Sequence, residues 1–441
     1  MPDLSSDFCG IKSPNPFWLA SAPPTNTGGQ IMRAFEQGWG GAVWKTLGKP
    51  IRNVSSRFGS VDFQGRRMMG LNNIELITDR PLDVNLREIS ETKKRFPKHA
   101  VIVSLMVESK EEWRDIIARS QDAGADGLEL NFGCPHGMCE RGMGSAVGQE
   151  PEVLKEITSW AVEYAKVPVI VKLTPNIGDI LEPGRAAVAG GAHALSCINT
   201  IKSIVSVDLN TFTPNPGVGD ASTNGGYCGP AVKPIALHMV SQLAKNGAIR
   251  VPISGIGGVS SWRDAAEFLA LGASNVQVCT AVMHYGFRII EDLCAGLDNY
   301  LRDMNMTGLS DLIGKALPQY VEWGDLDLNH RVVAKINADK CIGCKLCYVA
   351  CLDGSHQCIY MPGMTKEEAQ KAGHENIPEE INEHKTSVLA NRVPWVDEHE
   401  CVGCNLCQLV CPVEDCIEMV TQRIVPERWS WHDQVALDCQ R

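Results

Sequence analysis

Pro168-Val-Ile-Val-Lys-Leu-Thr174 is apolar at nearly every position and rich in β-branched residues. A strand with one face in water would alternate polar and apolar side chains, so this one is covered on both faces. An amphipathic stretch over 178–190 follows, and then a second run of the same kind, Ala194–Thr200. Working outward in both directions, the pattern repeats. Candidate strands fall at Phe17–Ser21, Gly41–Thr46, Ala100–Met106, Gly127–Phe132, Val251–Gly255 and Asn275–Thr280. The helical stretches that follow the strands are 29–38, 83–96, 109–123, 150–165, 178–190, 231–246, 260–271 and 283–303. Eight strand–helix pairs in one stretch of chain predict an α/β fold of the (β/α)8 TIM-barrel type, with a doubly wound sheet as the alternative.

The barrel does not use up the chain. Of 441 residues, the barrel reading takes 1–305, leaving a linker or docking segment at 306–335 and a cysteine-rich domain at 336–441. The 18 cysteines divide as 7 in residues 1–340 and 11 in residues 341–441, which no uniform disulfide framework would do. Hydrophobic residues at 44% and charged residues at 21% suit a globular protein. A net charge of −11 argues against a broad nucleic-acid partner. The first sixteen residues lack the basic and apolar regions of a signal peptide, and no apolar run is long enough to span a bilayer. The expectation is therefore a cytoplasmic protein with no membrane partner, whose thiols stay reduced unless they bind metal.

Cys341, Cys344, Cys347 and Cys351 form C-x2-C-x2-C-x3-C. Cys401, Cys404, Cys407 and Cys411 repeat it, with Pro412 after the last. Zinc ribbons use C-x2-C pairs, whereas these triplets with a fourth cysteine three residues on have the spacing of two-cluster ferredoxins. In that arrangement the fourth cysteine of each run ligates the other cluster, so two 4Fe-4S clusters are expected. One takes Cys341, Cys344, Cys347 and Cys411; the other takes Cys401, Cys404, Cys407 and Cys351. The 49 residues between Cys351 and Cys401 exceed what a compact ferredoxin needs, and an insertion is expected over about 354–396, with a solvated helical part within Thr365–Lys385. Cys358, Cys416 and Cys439 lie outside the spacing and read as ordinary thiols.

Barrel active sites form at the C-terminal strand ends, with a phosphate site commonly after strands 7 and 8. Here strand 7 runs into Ser254-Gly-Ile-Gly-Gly-Val259 and strand 8 into Cys279-Thr280. Glycine turns let backbone N–H groups approach a phosphate. No G-x-G-x-x-G occurs, so a mononucleotide flavin suits the chain better than a dinucleotide. It can accept single electrons from clusters and pass on a hydride. Lys45, Asn131, Lys172 and Asn199-Thr200 all sit at or near strand ends, where they can face one mouth. After strand 4 comes a loop with three glycines ending at Gly144 and rooted at Cys134. Such a loop can close as a lid, and a cysteine with an ordinary pKa is protonated near neutrality, as a proton donor must be.

The segment Asn131-Phe-Gly-Cys-Pro-His-Gly-Met-Cys-Glu-Arg-Gly-Met-Gly144 resembles the active-site loop of dihydropyrimidine dehydrogenases. So do Asn73-Ile-Glu-Leu-Ile77, Lys172-Leu-Thr-Pro-Asn176, Asn199-Thr200 and the tail Asp415-Cys-Ile-Glu-Met-Val420. The resemblance runs from about Pro16 to Val420 and, by length, is to the bacterial NAD-dependent catalytic subunit. It implies that Cys134 protonates C5 of uracil or thymine while FMN supplies hydride to C6. It implies that Asn73, Asn131, Phe132, Gly133, Asn199 and Thr200 contact the substrate. It further implies that Ser21, Lys45, Thr46, Lys172, Gly229, Gly257, Gly258, Cys279 and Thr280 bind FMN. Electrons would come from a separate NAD(P)H-oxidising FAD/iron–sulfur subunit in a hetero-oligomer. Two departures stand out: Phe132-Gly133 replaces the family's usual Leu-Ser, and Cys139 stands where glycine is usual. The alternatives are a dihydroorotate dehydrogenase-type FMN oxidoreductase and a non-catalytic electron-transfer subunit.

Overall fold

A computed structural model describes residues 2–135, 142–382, 393–423 and 427–439. The chain divides into two compact units, Met1–Tyr320 and Val321–Arg441.

In the first unit eight parallel strands close into a barrel in sequence order. They are β1 (Phe17–Leu19), β2 (Gly41–Leu47), β3 (Ala100–Leu105), β4 (Gly127–Asn131), β5 (Val169–Lys172), β6 (Ala194–Cys197), β7 (Ile253–Ile256) and β8 (Asn275–Val278). Each candidate strand of the sequence is one of these, with ends shifted by up to three residues; most are trimmed, while Gly41–Leu47 and Ile253–Ile256 each run one residue further. The trimmed residues, Asn199, Thr200 and Thr174 among them, belong to the loops that bear the site. Helices join the strands, and Thr27, Ser109 and Ser261 each accept an N–H in the first turn of the helix that follows. The last candidate helix is two, Thr280–Tyr285 and Ile289–Asp303, broken at Gly286 with φ +80°.

The barrel interior is layered. At its N-terminal end, Trp18, Val43, Ile102, Ile170 and Ala194 pack with Phe8 and Ile11 of the hairpin Ser6–Phe8/Ile11–Ser13. Phe8 meets Trp18 edge-on at 5.5 Å, and the Trp18 indole N–H donates to Ser13 Oγ at 3.0 Å. Each such buried side chain contributes about 1.5–3 kcal/mol. Two residues further along several strands the layer turns polar, with Lys45, Ser104, Glu129, Lys172, Ser196, Ser254 and Gln277 all buried.

Above the C-terminal strand ends lies a four-stranded antiparallel sheet of Phe58–Phe63, Arg66–Asn73, Ile201–Ser203 and Gly225–Cys228. The sequence reading contains no counterpart of this sheet. Its strands are short, polar and glycine-bearing, and pairing Asn73 with Gly226 joins residues far apart in the chain.

The segment 306–335 is not one linker. Met306, Leu309 and Leu312 are buried in the barrel's outer core, and Gly314 and Ala316 N–H donate to Leu269 and Ala270 carbonyls at 2.9 Å. His330–Ile336, in contrast, is a strand of the second unit, paired antiparallel with Ile417–Arg423. That unit holds the two cysteine runs, the short pair Ile359–Tyr360/Trp395–Val396, and the helix Lys366–Ala372 capped by Thr365.

Glu88 clamps the first barrel helix. Its Oε2 accepts from Gly28 N at 2.8 Å and from Arg80 Nη1 at 2.9 Å, and Oε1 accepts from Arg80 Nη2. The Arg80 guanidinium holds the Glu88 carboxyl below its ordinary range, outweighing desolvation. The clamp's contribution is therefore complete above the usual carboxylate pKa and is lost as pH falls through the lowered one. Glu88→Gln should cost on the order of 1 kcal/mol at pH 7 and progressively less as pH falls below the usual carboxylate range, read from denaturant unfolding across that pH range.

Candidate active site and cluster sites

The mouth of the barrel opens into a cleft lined by side chains from the strand ends, Ser21, Lys45, Asn131, Lys172, Asn199 and Thr280 among them. One wall is a chain of hydrogen bonds between side chains from separate strand ends. Ser21 Oγ lies 3.2 Å from Thr46 Oγ1, which also meets Ser104 Oγ at 2.9 Å. Asn131 Nδ2 donates to Thr46 Oγ1 at 3.0 Å, and Asn131 Oδ1 accepts from Asn199 Nδ2 at 3.0 Å. Asn199 Oδ1 in turn accepts from Thr200 N at 2.8 Å. Each amide is oriented by its neighbours, so the wall is pre-set.

Two lysines are buried here, each against a carboxylate. Lys172 Nζ is 3.6 Å from Glu129, itself fully buried and held by Ser196 Oγ at 2.9 Å and Gln277 Nε2 at 3.2 Å. Lys45 Nζ is 2.7 Å from Glu75, which also pairs with Arg57 at 2.8 Å. Glu75 lies in the quoted Asn73–Ile77 motif, yet the sequence reading gives it no role. The signal lay in that motif: a carboxylate two residues past Asn73 in a segment expected at the site.

The phosphate end is a glycine cradle. Gly229, Gly257 and Gly258 have φ of +93°, +132° and +77°. A Cβ on Gly258 would come within 2.9 Å of the Gly229 carbonyl and 3.0 Å of Lys233 N. Cys279 and Thr280 adjoin them, and Thr280 Oγ1 donates to Cys228 Sγ at 3.2 Å. Burial pushes the Cys228 thiol up to about 11 and also raises Cys279, so both stay protonated at neutral pH. An open cradle, two buried cations and a row of oriented amides fit a phosphorylated flavin.

Cys134 is buried at the cleft wall beside Ile77, Met106 and Met143. Its carbonyl accepts from Ser145 N at 3.0 Å, which ties the root of the loop. His136 and Cys139 of this loop lie outside the described residues. Asn73 faces the cleft, its Nδ2 3.4 Å from the Gly226 carbonyl. Two sequence-predicted contacts are not brought in. Phe132, next after inward-facing Asn131, points the other way and packs edge-on against Trp113 at 6.2 Å within the outer core. Gly133 is a spacer: a Cβ there would strike Asn199 Cβ at 2.4 Å.

In the second unit the cysteines rim two cavities. Cys341, Cys344, Cys347 and Cys411 line one, and Cys351, Cys401, Cys404 and Cys407 line the other, as the spacing requires. Among the described residues no three His, Cys, Asp or Glu side chains close around a single metal ion. A rim of thiols around a cavity is the donor set of an iron–sulfur cluster. Cys416 and Cys358, taken from sequence as ordinary thiols, also line these two cavities, one each.

Residues 3–301 match the family described as Dihydroorotate dehydrogenase, and residues 334–419 match the 4Fe-4S dicluster domain. The chain is 44% identical over 359 residues to the NAD-dependent dihydropyrimidine dehydrogenase subunit PreA of Escherichia coli (strain K12), covering 81% of this chain and 87% of that one. The chain belongs to the dihydropyrimidine dehydrogenase family. It is an oxidoreductase of the flavin and iron–sulfur type. The chloroplastic dihydropyrimidine dehydrogenase (NADP(+)) of Arabidopsis thaliana is 41% identical over 338 residues, 74% of this chain and 79% of that one. The chain is also similar to the catalytic subunit of dihydroorotate dehydrogenase B (NAD(+)) of Pyrococcus horikoshii. It is 37% identical over 314 residues, 71% of this chain and 98% of that one. No helix among the described residues is long and apolar enough to cross a membrane.

The cradle can be tested alone. Gly258→Ala forces a side chain into a left-handed backbone position against main-chain atoms, so bound flavin should weaken by on the order of tenfold. Circular dichroism should show the barrel retained, and absorbance of the purified protein should show the flavin lost.

Proposed function

We propose that this chain reduces uracil or thymine to the 5,6-dihydropyrimidine. The observation that carries the reading is the convergence of Cys134 and the Thr46–Asn131–Asn199 amide wall on one cleft. FMN bound in the cradle would supply hydride to ring C6, fed one electron at a time through two 4Fe-4S clusters. Asn73, Asn131, Asn199 and Thr200 offer donors and acceptors matched to the alternating N–H and C=O edges of a pyrimidine. Cys134 holds the proton for C5. Thiol Sγ–H is its source, and the resulting thiolate is reprotonated from solvent. Ser21, Lys45, Thr46, Lys172, Gly229, Gly257, Gly258, Cys279 and Thr280 hold the flavin. Lys45 and Lys172, each fixed against a buried carboxylate, would contribute donors to the flavin.

The similarity favours a pyrimidine base over dihydroorotate: the chain is 44% identical to a dihydropyrimidine dehydrogenase subunit and 37% identical to the dihydroorotate dehydrogenase B subunit. The electron-transfer-only alternative leaves the oriented amides and Cys134 without a role.

The cysteine runs supply a route for electrons, and the glycine cradle suits a mononucleotide. The reading therefore includes a partner subunit that oxidises NAD(P)H on its own FAD, in the cytoplasm.

Two measurements follow. Cys134→Ala should keep flavin absorbance and lose on the order of 10²–10⁴-fold of uracil reduction with an artificial electron donor; near-normal turnover removes Cys134 as the acid. The purified chain with uracil should oxidise NADH negligibly until a pyridine-nucleotide-oxidising subunit is added. Substantial NADH oxidation by the chain alone rejects the two-subunit route.

A further inference from the structure

Each cavity of the second unit holds one thiol more than a 4Fe-4S cube can use. A cube has four irons and takes one protein sulfur at each. The cavity lined by Cys351, Cys401, Cys404 and Cys407 is also lined by Cys358, which is 5% exposed. Cys358 Sγ lies 3.6 Å from Cys351 Sγ. That is van der Waals contact between sulfurs, too close for the two to serve different corners of a cube and close enough to serve the same one.

The backbone holds both sulfurs there. Cys351 lies in the helix Leu346–Gly354, and its carbonyl accepts from Gln357 N at 3.2 Å. Cys358 directly precedes the strand Ile359–Tyr360, and its carbonyl accepts from Asp397 N at 2.8 Å. Fixed on two different elements, the two thiols line one cavity in contact with each other. Cys416 has the corresponding place in the other half, directly before the strand Ile417–Arg423. Its Sγ is directed to the Asn337 carbonyl at 3.8 Å and so has another partner. Cys358 is therefore the stronger case.

We propose that Cys358 is a ligand-competent thiol of this cluster, interchangeable with Cys351 as its fourth sulfur. Resting on the iron–sulfur reading above, this adds a residue that the cysteine spacing leaves out. When one sulfur binds iron it gives up its proton to solvent, and the other stands by as a neutral thiol. The corner is thus protected against loss of either side chain, for example by oxidation.

The test uses the full chain, purified anaerobically, with iron and acid-labile sulfide determined per chain. Cys351→Ala and Cys358→Ala should each keep the wild-type content, while the double variant falls to about half, one of two clusters being lost. Should Cys351→Ala fail to fold, Cys351→Ser alone and combined with Cys358→Ala, enriched in ⁵⁷Fe, decide the matter by Mössbauer spectroscopy. The single variant should keep all-sulfur iron sites, and only the combination should show an oxygen-ligated one. Loss of iron in Cys351→Ala equal to the double variant, loss in Cys358→Ala alone, or identical spectra for the two serine variants would overturn the proposal. A wild-type chain that holds no cluster iron under these conditions would overturn the iron–sulfur reading itself.

Discussion

An ammonium group does not stay charged inside a protein without an anion beside it; the penalty for burying an unpaired charge is several kcal/mol. The upper half of this barrel is organised around two solutions of that problem. Glu129 lies on β4, inside the barrel, and exists there only because Lys172, Ser196 and Gln277 surround it. Through Glu129, Lys172 is held at the mouth. Glu75 does the same for Lys45, and because Glu75 comes from the segment after Asn73, that ion pair also ties this segment down onto the barrel. Thr78 N, donating to the Thr46 carbonyl at 3.1 Å, fixes the next residues of the same segment. The site is thus assembled by charge compensation from below and from above, and the amide wall lies between.

The second unit solves a different problem with different atoms. Its small core is largely sulfur: Cys341, Cys347, Cys351, Cys358, Cys401, Cys407 and Cys416 are buried together with Val333, Ile359 and Ile417. A core so short of aliphatic side chains would gain packing from iron–sulfur clusters bound in these cavities, and folding and cluster assembly would then be coupled. The pairing of His330–Ile336 with Ile417–Arg423 brings the start of the unit to its end and thereby places Cys341 and Cys411 at one cavity.

Much of this was legible in the sequence, for physical reasons. Parallel strands covered on both faces leave largely apolar runs, and most of the barrel strands show one, although Gly127–Asn131 and Asn275–Val278 alternate. Metal-ligand spacing is local, so the eight cysteines of the two runs could be sorted without a fold. What was missed is what tertiary contacts decide. The four-stranded sheet over the mouth lacks a clear apolar alternation, and its central pairing of Arg66–Asn73 with Gly225–Cys228 joins segments distant in sequence. Phe132 was assigned to the substrate through the family resemblance, but its ring packs against Trp113 in the outer core. Glu75 carries no role until Lys45 and Arg57 are seen around it, and Cys358 none until its sulfur is seen beside Cys351. The segment 306–335 had no strong pattern and was divided between the two units by packing.

The central claim, that a flavin in this barrel passes a hydride to a neutral pyrimidine, is tested most directly by anaerobic photoreduction of the cofactor-loaded chain followed by a panel of ring compounds. The account predicts that uracil or thymine reoxidises the flavin stoichiometrically and that orotate does not. A reduced flavin indifferent to both bases but reoxidised by orotate would contradict it.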